Sequence, residues 1–211
     1  MIYQEGESSN LFLTVLEGWA LRFAMTRDGR RQVLSFLLGG DHVALDSLSF
    51  DRMTFSVQAI TDCTICAVDR TTINRLVGSS PSALERLEGR HRFLGIGSQQ
   101  HIISLGRRSA AGRIAQLFLE MKLRLAARGF KDESRLPFPI RQRDIADAYG
   151  LTPVHVNRVL RSFRAEGVAE LARGTLSIID GKRLSAIAGL KELDQDITRY
   201  GVNLSRFEYQ Q

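Results

Sequence analysis

The chain has 211 residues, of which 44% are hydrophobic and 25% are charged, a composition typical of a globular protein. This length is sufficient for one large domain or two smaller ones, each with its own apolar core. No apolar run is long enough for a membrane helix, and the first residues resemble no signal peptide. We therefore expect a cytoplasmic protein.

Charge is distributed unevenly along the chain. Residues 1–80 contain seven arginines and nine acidic residues, a net charge of −2, whereas residues 107–183 contain sixteen basic and eight acidic residues, a net charge of +8. A basic C-terminal half beside a nearly neutral N-terminal half favours nucleic-acid binding by the basic half. A solvated basic surface would have the same charge.

Residues 1–80 have the pattern of a small antiparallel barrel or jelly-roll. Short alternating segments are separated by turns, and the Asp28-Gly29 turn between two of them is a strong hairpin signal. This spacing of short strands predicts a β-roll. The predicted strand segments are 11–18, 19–26, 31–38, 55–61 and 63–69.

The two cysteines, Cys63 and Cys66, lie in a segment that alternates like a strand. Alternation places them on opposite faces of that strand, where they would be ordinary packing residues. A structural zinc site needs four ligands, and a four-iron cluster needs about four thiolates. We therefore predict no metal and no other cofactor.

A change to helical periodicity follows residue 70. A short helix is predicted at 71–76, and Ser80-Pro81 is a good start for a long helix over 81–106. Apolar and polar residues recur along one stripe of this helix, which predicts the seam of a parallel dimer. The alternative is a helix packed on its own barrel. The stripe comprises Leu84, Leu87, His91, Leu94, Ser98, His101 and Leu105.

The region after the long helix forms a third predicted unit, 107–183, with a boundary near 106–109. A helix is expected over 112–129, with Gly129 as its C-cap, and the polar segment 131–138 is expected to be a surface loop or hinge. Residues 184–211 have no strong pattern and form a C-terminal extension, which either packs on this unit or extends as a tail.

Residues 142–163 satisfy several requirements of a helix-turn-helix. Ala146 is small where two helices must approach closely, Gly150 is at the turn, and Thr152-Pro153 begins the second helix. Four apolar residues have the spacing needed to pack the two helices together: Ile145, Leu151, Val156 and Val159. Together these features predict DNA binding.

Helical spacing places four residues on the outward stripe of the second helix: Val154, Asn157, Arg158 and Arg161. Arginine pairs with guanine, asparagine with adenine, and valine packs on the thymine methyl group. His155 lies off the stripe, where it either contacts DNA or faces solvent.

The predicted phosphate contacts surround this stripe. Residues 167–180 read as two short strands around Arg173-Gly174, which predicts the wing of a winged helix and makes Arg173 a candidate phosphate ligand or an exposed turn residue. Arg161 lies farther along the recognition helix than the base readers. The candidate phosphate contacts are Gln142, Thr152, Arg161 and Arg173.

These motifs resemble those of the Crp/Fnr superfamily of transcription regulators, in particular its FixK-type and related alphaproteobacterial branches. The resemblance covers about residues 1–180, beginning without the usual N-terminal helix, where oxygen-sensing members carry most of their iron-sulfur cysteines. It implies an α+β chain in which a β-roll effector domain and a long dimerisation helix precede a winged helix-turn-helix. It also implies control of a palindromic site and contact with RNA polymerase. The matching segments are Gly18, 28–41, Pro81, 112–116 and 142–180.

The resemblance also has departures that concern the effector. Where cyclic-nucleotide binders of this superfamily have Gly-Glu and an arginine, this chain has Ala44-Leu45 and Met53. Without these charged partners the nucleotide would lose its strongest hydrogen bonds, so we predict no tight binding, unless Arg52 moves into register. The candidate effector-pocket residues are Leu45, Met53, Thr54 and Ser98.

The sequence has two alternatives to a transcription regulator. One is a small-molecule or cyclic-nucleotide binding module whose helix-turn-helix has degenerated. The other is an enzyme, which we do not expect because the sequence has no nucleophile, base and orienting group at suitable spacing.

Overall fold

The computed structural model describes residues 1–8, 10–43, 51–132 and 134–190, with the side chains of Arg90 and Phe93 excepted. The chain divides into two compact units, the first being Met1–Gln99 and the second beginning at Gln100. The division lies inside one continuous helix, Pro81–Arg107.

The first unit contains two antiparallel sheets, which confirms the predicted β-roll. Strand β1 pairs with β5 in one sheet, and β2 lies between β3 and β4 in the other. The predicted segments agree with the observed strands to within one or two residues at most ends. The strands are β1 (Leu11–Glu17), β2 (Trp19–Met25), β3 (Arg31–Leu38), β4 (Ser56–Ala59) and β5 (Thr64–Asp69).

Gly18 makes the tight connection between β1 and β2. Its φ is +92°, and a Cβ atom at this position would lie 2.2 Å from the carbonyl oxygen of Asp62. Only glycine combines this backbone conformation with so close an approach of another backbone segment.

The interior of the roll is filled by apolar side chains from alternate strand positions, which is the burial that the alternation predicted. Val15 and Val57 are completely inaccessible to solvent, and Met53 is 4% exposed. The core residues are Tyr3, Leu13, Val15, Ala20, Leu37, Val43, Met53, Phe55 and Val57.

Six helices are present in the described residues. Asp69 caps the first helix, and hydrogen bonds from the hydroxyls of Thr71 and Thr72 and from the Thr72 amide lower the pKa of its carboxyl to about 2. The helices are α1 (Arg70–Ser79), α2 (Pro81–Arg107), α3 (Ala110–Ala126), α4 (Gln142–Tyr149), α5 (Pro153–Ala165) and α6 (Gly181–Ala188).

The second unit contains a three-stranded sheet in the order β6-β8-β7, where β6 is Arg135–Pro137, β7 is Ala169–Ala172 and β8 is Thr175–Ile178. The prediction of a loop or hinge over 131–138 was therefore wrong for 135–137. The polar residues and the proline of the segment 131–138 are not typical of a strand. Strand β6 forms within it because β8 supplies the hydrogen-bond partners.

Helix α6 contains the first residues of the segment 184–211, which was predicted either to pack on the winged helix unit or to extend as a tail. Leu184 and Ala188 are buried, and α6 approaches α3 so closely that a Cβ on Gly112 would lie 3.1 Å from the Ile187 carbonyl oxygen. The beginning of this segment thus packs on the winged helix, whereas 191–211 lie outside the described residues.

The core of the second unit is aromatic and aliphatic. Phe118 of α3 meets the ring of Phe138 edge-on at 5.2 Å between centroids and also packs near Phe163 of α5. In the part of the chain that the structure describes, no helix combines the length and apolar character that crossing a bilayer requires.

Candidate nucleic-acid interface

Helices α4 and α5 are joined by a turn at Gly150, as the sequence predicted. Gly150 has a φ of +63°, and the amide of Leu151 donates to the Ala146 carbonyl oxygen at 3.0 Å. Thr152 then caps α5, because its Oγ1 accepts the His155 amide hydrogen at 3.1 Å. The turn and cap set the direction in which α5 leaves α4.

The inner faces of the two helices are buried. Ile145, Ala146 and Val156 are at most 1% exposed, and Val159 is 8% exposed. Leu151, the other residue expected at this contact, is half-buried. Burial of one face leaves the opposite face of α5 for a partner.

That outer face has an apolar position and two unpaired cations. Val154 is 80% exposed, and Arg158 and Arg161 are exposed on the same side of α5. Neither arginine makes a hydrogen bond or ion pair with the residues that the structure describes. Their guanidinium groups are therefore available to bases or phosphates.

Asn157 differs from its neighbours on the stripe because a hydrogen bond from α4 restrains it. Its Nδ2 donates to Oε1 of Gln142 at 3.2 Å, and both residues are half-buried. Gln142 is the first residue of α4. The sequence predicts these two residues only as separate DNA ligands, because the spacing of residues along one helix does not show which residues of another helix they contact.

The remaining predicted DNA contacts flank this face. Thr152 is exposed, and His155 is half-buried beside the start of α5. Arg173 is exposed at the tip of the β7–β8 hairpin, where it has a φ of +48° and Gly174 a φ of +75°. Two consecutive left-handed residues form the tight hairpin expected of a wing.

Ion pairs hold the acidic groups near the end of α5. Arg183 of α6 pairs with Glu166, and Arg164 pairs with Glu170 at 3.2 Å. Arg143 pairs with Asp147. Five other exposed basic residues between positions 141 and 183 have no ion pair among the described residues, so they carry unpaired positive charge. These residues are Arg141, Arg158, Arg161, Arg173 and Lys182.

The predicted dimer stripe of α2 is only partly exposed. Leu84 and His91 are exposed, as is Ser98, whereas the other members are half-buried. Ile102 and Ile103, which were not in the predicted stripe, are 68% and 44% exposed. The half-buried members are Leu87, Leu94, His101 and Leu105.

His101 in particular packs within its own unit. Its ring lies 5.1 Å from that of Tyr149 at the end of α4, and its buried Nε2 has no hydrogen-bond partner in the described residues. Desolvation lowers the pKa of His101, partly opposed by a hydrogen bond with the Ala148 backbone, and burial raises the pKa of Tyr149. A heptad stripe drifts around a straight helix, so its later positions turn away from the first.

The candidate effector residues do not share one environment. Met53 is part of the apolar roll core, Thr54 beside it is exposed, and Ser98 donates its hydroxyl to the Leu94 carbonyl oxygen at 3.1 Å. Leu45 lies outside the described residues.

Sequence reasoning also missed an arginine inside the roll. Arg22 of β2 donates to the carbonyl oxygens of Val43, at 2.9 Å, and His42, at 2.6 Å, and its guanidinium lies over the Phe55 ring. It thus holds the chain immediately before residues 44–50.

Comparison with known protein families matches both units of the chain. Residues 1–80 match the cyclic nucleotide-binding domain, and residues 112–187 match the Crp-like helix-turn-helix domain. The first match concerns the fold of the roll and does not establish which ligand it binds.

Several characterised regulators are similar over most of their length. The nitrogen fixation regulation protein FixK of Bradyrhizobium diazoefficiens is 32% identical over 89% of this chain and 78% of that protein. The transcriptional activatory protein AadR of Rhodopseudomonas palustris is 29% identical, over 89% of this chain and 77% of that protein.

Solved structures have the same fold. FixK2 of Bradyrhizobium japonicum superimposes with a TM-score of 0.79 at 27% identity, covering 88% of this chain and 91% of FixK2. The regulator TTHB099 of Thermus thermophilus has a TM-score of 0.72 at 21% identity, covering 91% and 95% of the two chains.

Proposed function

We propose, from the premise that this chain belongs to the Crp/Fnr family of DNA-binding transcription regulators, that it works as a homodimer on an inverted-repeat DNA site. A signal received by the β-roll would control it. The observation that carries the proposal is the outer face of α5, where Arg158 and Arg161 are exposed and unpaired within the described residues.

The base contacts would come from the first half of α5. Arg158 has the reach and the two parallel donors that guanine O6 and N7 require, and Val154 can pack on a thymine methyl group. Asn157 would read adenine, with His155 beside it at the helix N-terminus. Backbone phosphates would be bound around this stripe by Gln142, Thr152, Arg161 and Arg173.

The dimer would form along α2. Leu84 and Ile102 are both exposed and about five turns apart on a regular helix, so they fall on one side of it. We assign Ile102 to the interface beside the predicted stripe, in which His101 also packs against Tyr149 of its own chain. Two-fold symmetry then requires half-sites about one helical turn apart, in an inverted repeat.

The interior of the roll supports an effector other than a cyclic nucleotide. The core that includes Met53 is apolar, and residue 45 is a leucine where the superfamily's nucleotide binders have an acidic side chain. A nucleotide there would lack both the glutamate that orients its ribose and the arginine that pairs with its phosphate, because this chain has Leu45 and Met53 at those positions. The chain would act in the bacterial cytoplasm, by binding and contact with RNA polymerase, without catalysis.

A binding titration on genomic fragments, repeated at several salt concentrations, tests this function. We expect strong salt dependence and a preferred inverted repeat. Arg158→Ala should weaken binding to that repeat by about 1–3 kcal/mol and relax base choice at one position in each half-site. Arg30→Ala, in the exposed Arg30–Asp28 pair of the first unit, is the control and should change neither. Uniform weak binding to every fragment would refute the proposal.

A further inference from the structure

We propose that Gln142 is a positioning residue that orients the Asn157 amide and thereby makes the recognition helix select adenine. This inference rests on the proposed function, because it assumes that α5 enters the major groove. Its basis is the hydrogen bond between Asn157 Nδ2 and Gln142 Oε1, at 3.2 Å.

The bond joins the beginning of α4 to the second turn of α5. Gln142 begins α4, and Asn157 lies one turn beyond the start of α5. Because both side chains are only half-buried, each retains polar atoms that can face DNA. The bond therefore restrains a base-reading side chain without removing it from the surface.

The direction of this bond determines what each amide offers to DNA. Gln142 has one acceptor, Oε1, and one donor group, Nε2. When Oε1 accepts from Asn157, Nε2 remains available, and a DNA phosphate can only accept hydrogen bonds. A phosphate contact by Gln142 thus favours the same orientation that the structure has, and the two interactions support each other.

Asn157 is then left with a matched donor and acceptor. Its Nδ2 has two hydrogens, and one of them goes to Gln142. Adenine recognition requires this to be the hydrogen trans to Oδ1, which leaves the other hydrogen beside Oδ1 on one edge of the amide. Adenine presents an N7 acceptor and an N6 donor, which pair with that edge. Guanine O6 and thymine O4 would place an acceptor opposite Oδ1, and cytosine offers only a single donor.

Selection of binding sites from randomised half-sites tests this role. Five proteins are compared: the natural chain and its Asn157→Ala, Gln142→Met, Gln142→Ala and Gln142→Glu variants. Asn157→Ala identifies the position that Asn157 reads. We expect the natural chain to prefer adenine there. Gln142→Met should reduce that preference by about 3- to 10-fold, the effect of one lost hydrogen bond.

Gln142→Glu separates the two roles of this side chain. A carboxylate can only accept, so it should hold Asn157 in the natural orientation and retain the adenine preference. It should nevertheless bind DNA more weakly at all sequences, because it repels the phosphate. Gln142→Ala provides a second variant without the restraint and should behave like Gln142→Met.

Two results would overturn the inference. One is an unchanged adenine preference in both Gln142→Met and Gln142→Ala, which would reduce Gln142 to a phosphate contact. The other is a natural preference for a base other than adenine at the Asn157 position. Failure of the proposed function is distinguishable, because the natural chain would then select no site at all or Arg158→Ala would leave the selected site unchanged.

Discussion

Arg113 of α3 donates from Nη1 to the carbonyl oxygen of Tyr149, the last residue of α4, at 2.7 Å. The same guanidinium donates from Nη2 to the Leu105 carbonyl near the end of α2, at 2.9 Å, and from Nε to the Arg108 carbonyl at 3.0 Å. Carbonyls at helix ends lack partners within the helix and carry partial negative charge. One cation therefore joins the carboxyl ends of two helices within the second unit.

Replacing Arg113 should destabilise this unit. We expect Arg113→Met to lower the free energy of unfolding by about 2–4 kcal/mol, because it leaves three half-buried carbonyls without their charged donor. Urea denaturation measures the effect. Arg161→Met removes an exposed arginine from α5 and should change stability by less than about 0.5 kcal/mol. Equal effects of the two variants would contradict the role given to Arg113.

Stability should also depend on His101 at mildly acidic pH. Burial lowers the pKa of His101 below its ordinary value of 6.5, so the unfolded chain binds the proton more readily than the folded one. The stabilisation is complete above about pH 6.5 and is lost as the pH falls from there towards the folded pKa. Urea unfolding of the natural chain and of His101→Gln, from about pH 8 to about pH 5, measures the difference.

The control for this measurement is His155→Gln. The His155 ring makes no hydrogen bond with the described residues, and this residue is half-buried in the first turn of α5. We expect His155→Gln to retain the pH dependence of the natural chain and His101→Gln to lose part of it. If both variants retain it in full, the buried imidazole is not its source.

Two glycines with a positive φ should differ in their tolerance of alanine. A Cβ atom at Gly150 would have no neighbouring atom within 4 Å, so Gly150→Ala meets only the backbone penalty of about 1–2 kcal/mol. Gly18→Ala adds a collision with the Asp62 carbonyl oxygen, and we expect it to cost more than about 3 kcal/mol. Thermal unfolding ranks the two variants. A smaller effect at Gly18 would mean that the roll can shift to accept a methyl group.

Arg161 and Arg158 should have different effects on DNA binding. Because Arg161 lies one turn farther along α5, we expect Arg161→Ala to weaken binding to all sequences by a similar factor. The slope of log affinity against log salt should fall by about 1, since one phosphate contact is lost. Binding titrations at several salt concentrations give both quantities. A changed base preference would instead make Arg161 a base reader.

The sequence predicted correctly the features that depend on residues close together in the chain. The helix-turn-helix, with its Gly150 turn and Thr152 cap, follows from backbone preferences and a hydrogen bond three residues away. The roll strands follow from alternation and from turn residues such as Gly29. Strand β6 was missed because its partner, β8, lies about forty residues farther along the chain.

The long helix shows which contacts periodicity leaves undetermined. Its seven-residue stripe predicted His101 in the dimer seam, and the structure adds a contact of this ring with Tyr149, nearly fifty residues away. A seven-residue repeat corresponds to about 3.5 residues per turn, whereas a straight α-helix has about 3.6. The stripe therefore drifts around the helix over several turns and defines one face only approximately. Which neighbour covers each part of that face depends on how the chain folds back.

The sequence alone determined that this protein has a recognition helix and which of its residues face outward, because helical geometry and caps are local. It also determined the β-roll and the family resemblance. Only the tertiary structure decided that Gln142 restrains Asn157 and that Arg113 joins two helix ends. Those contacts bring together residues distant in sequence, and a hydrogen bond requires positions accurate to a few tenths of an ångström, which no spacing in a sequence specifies.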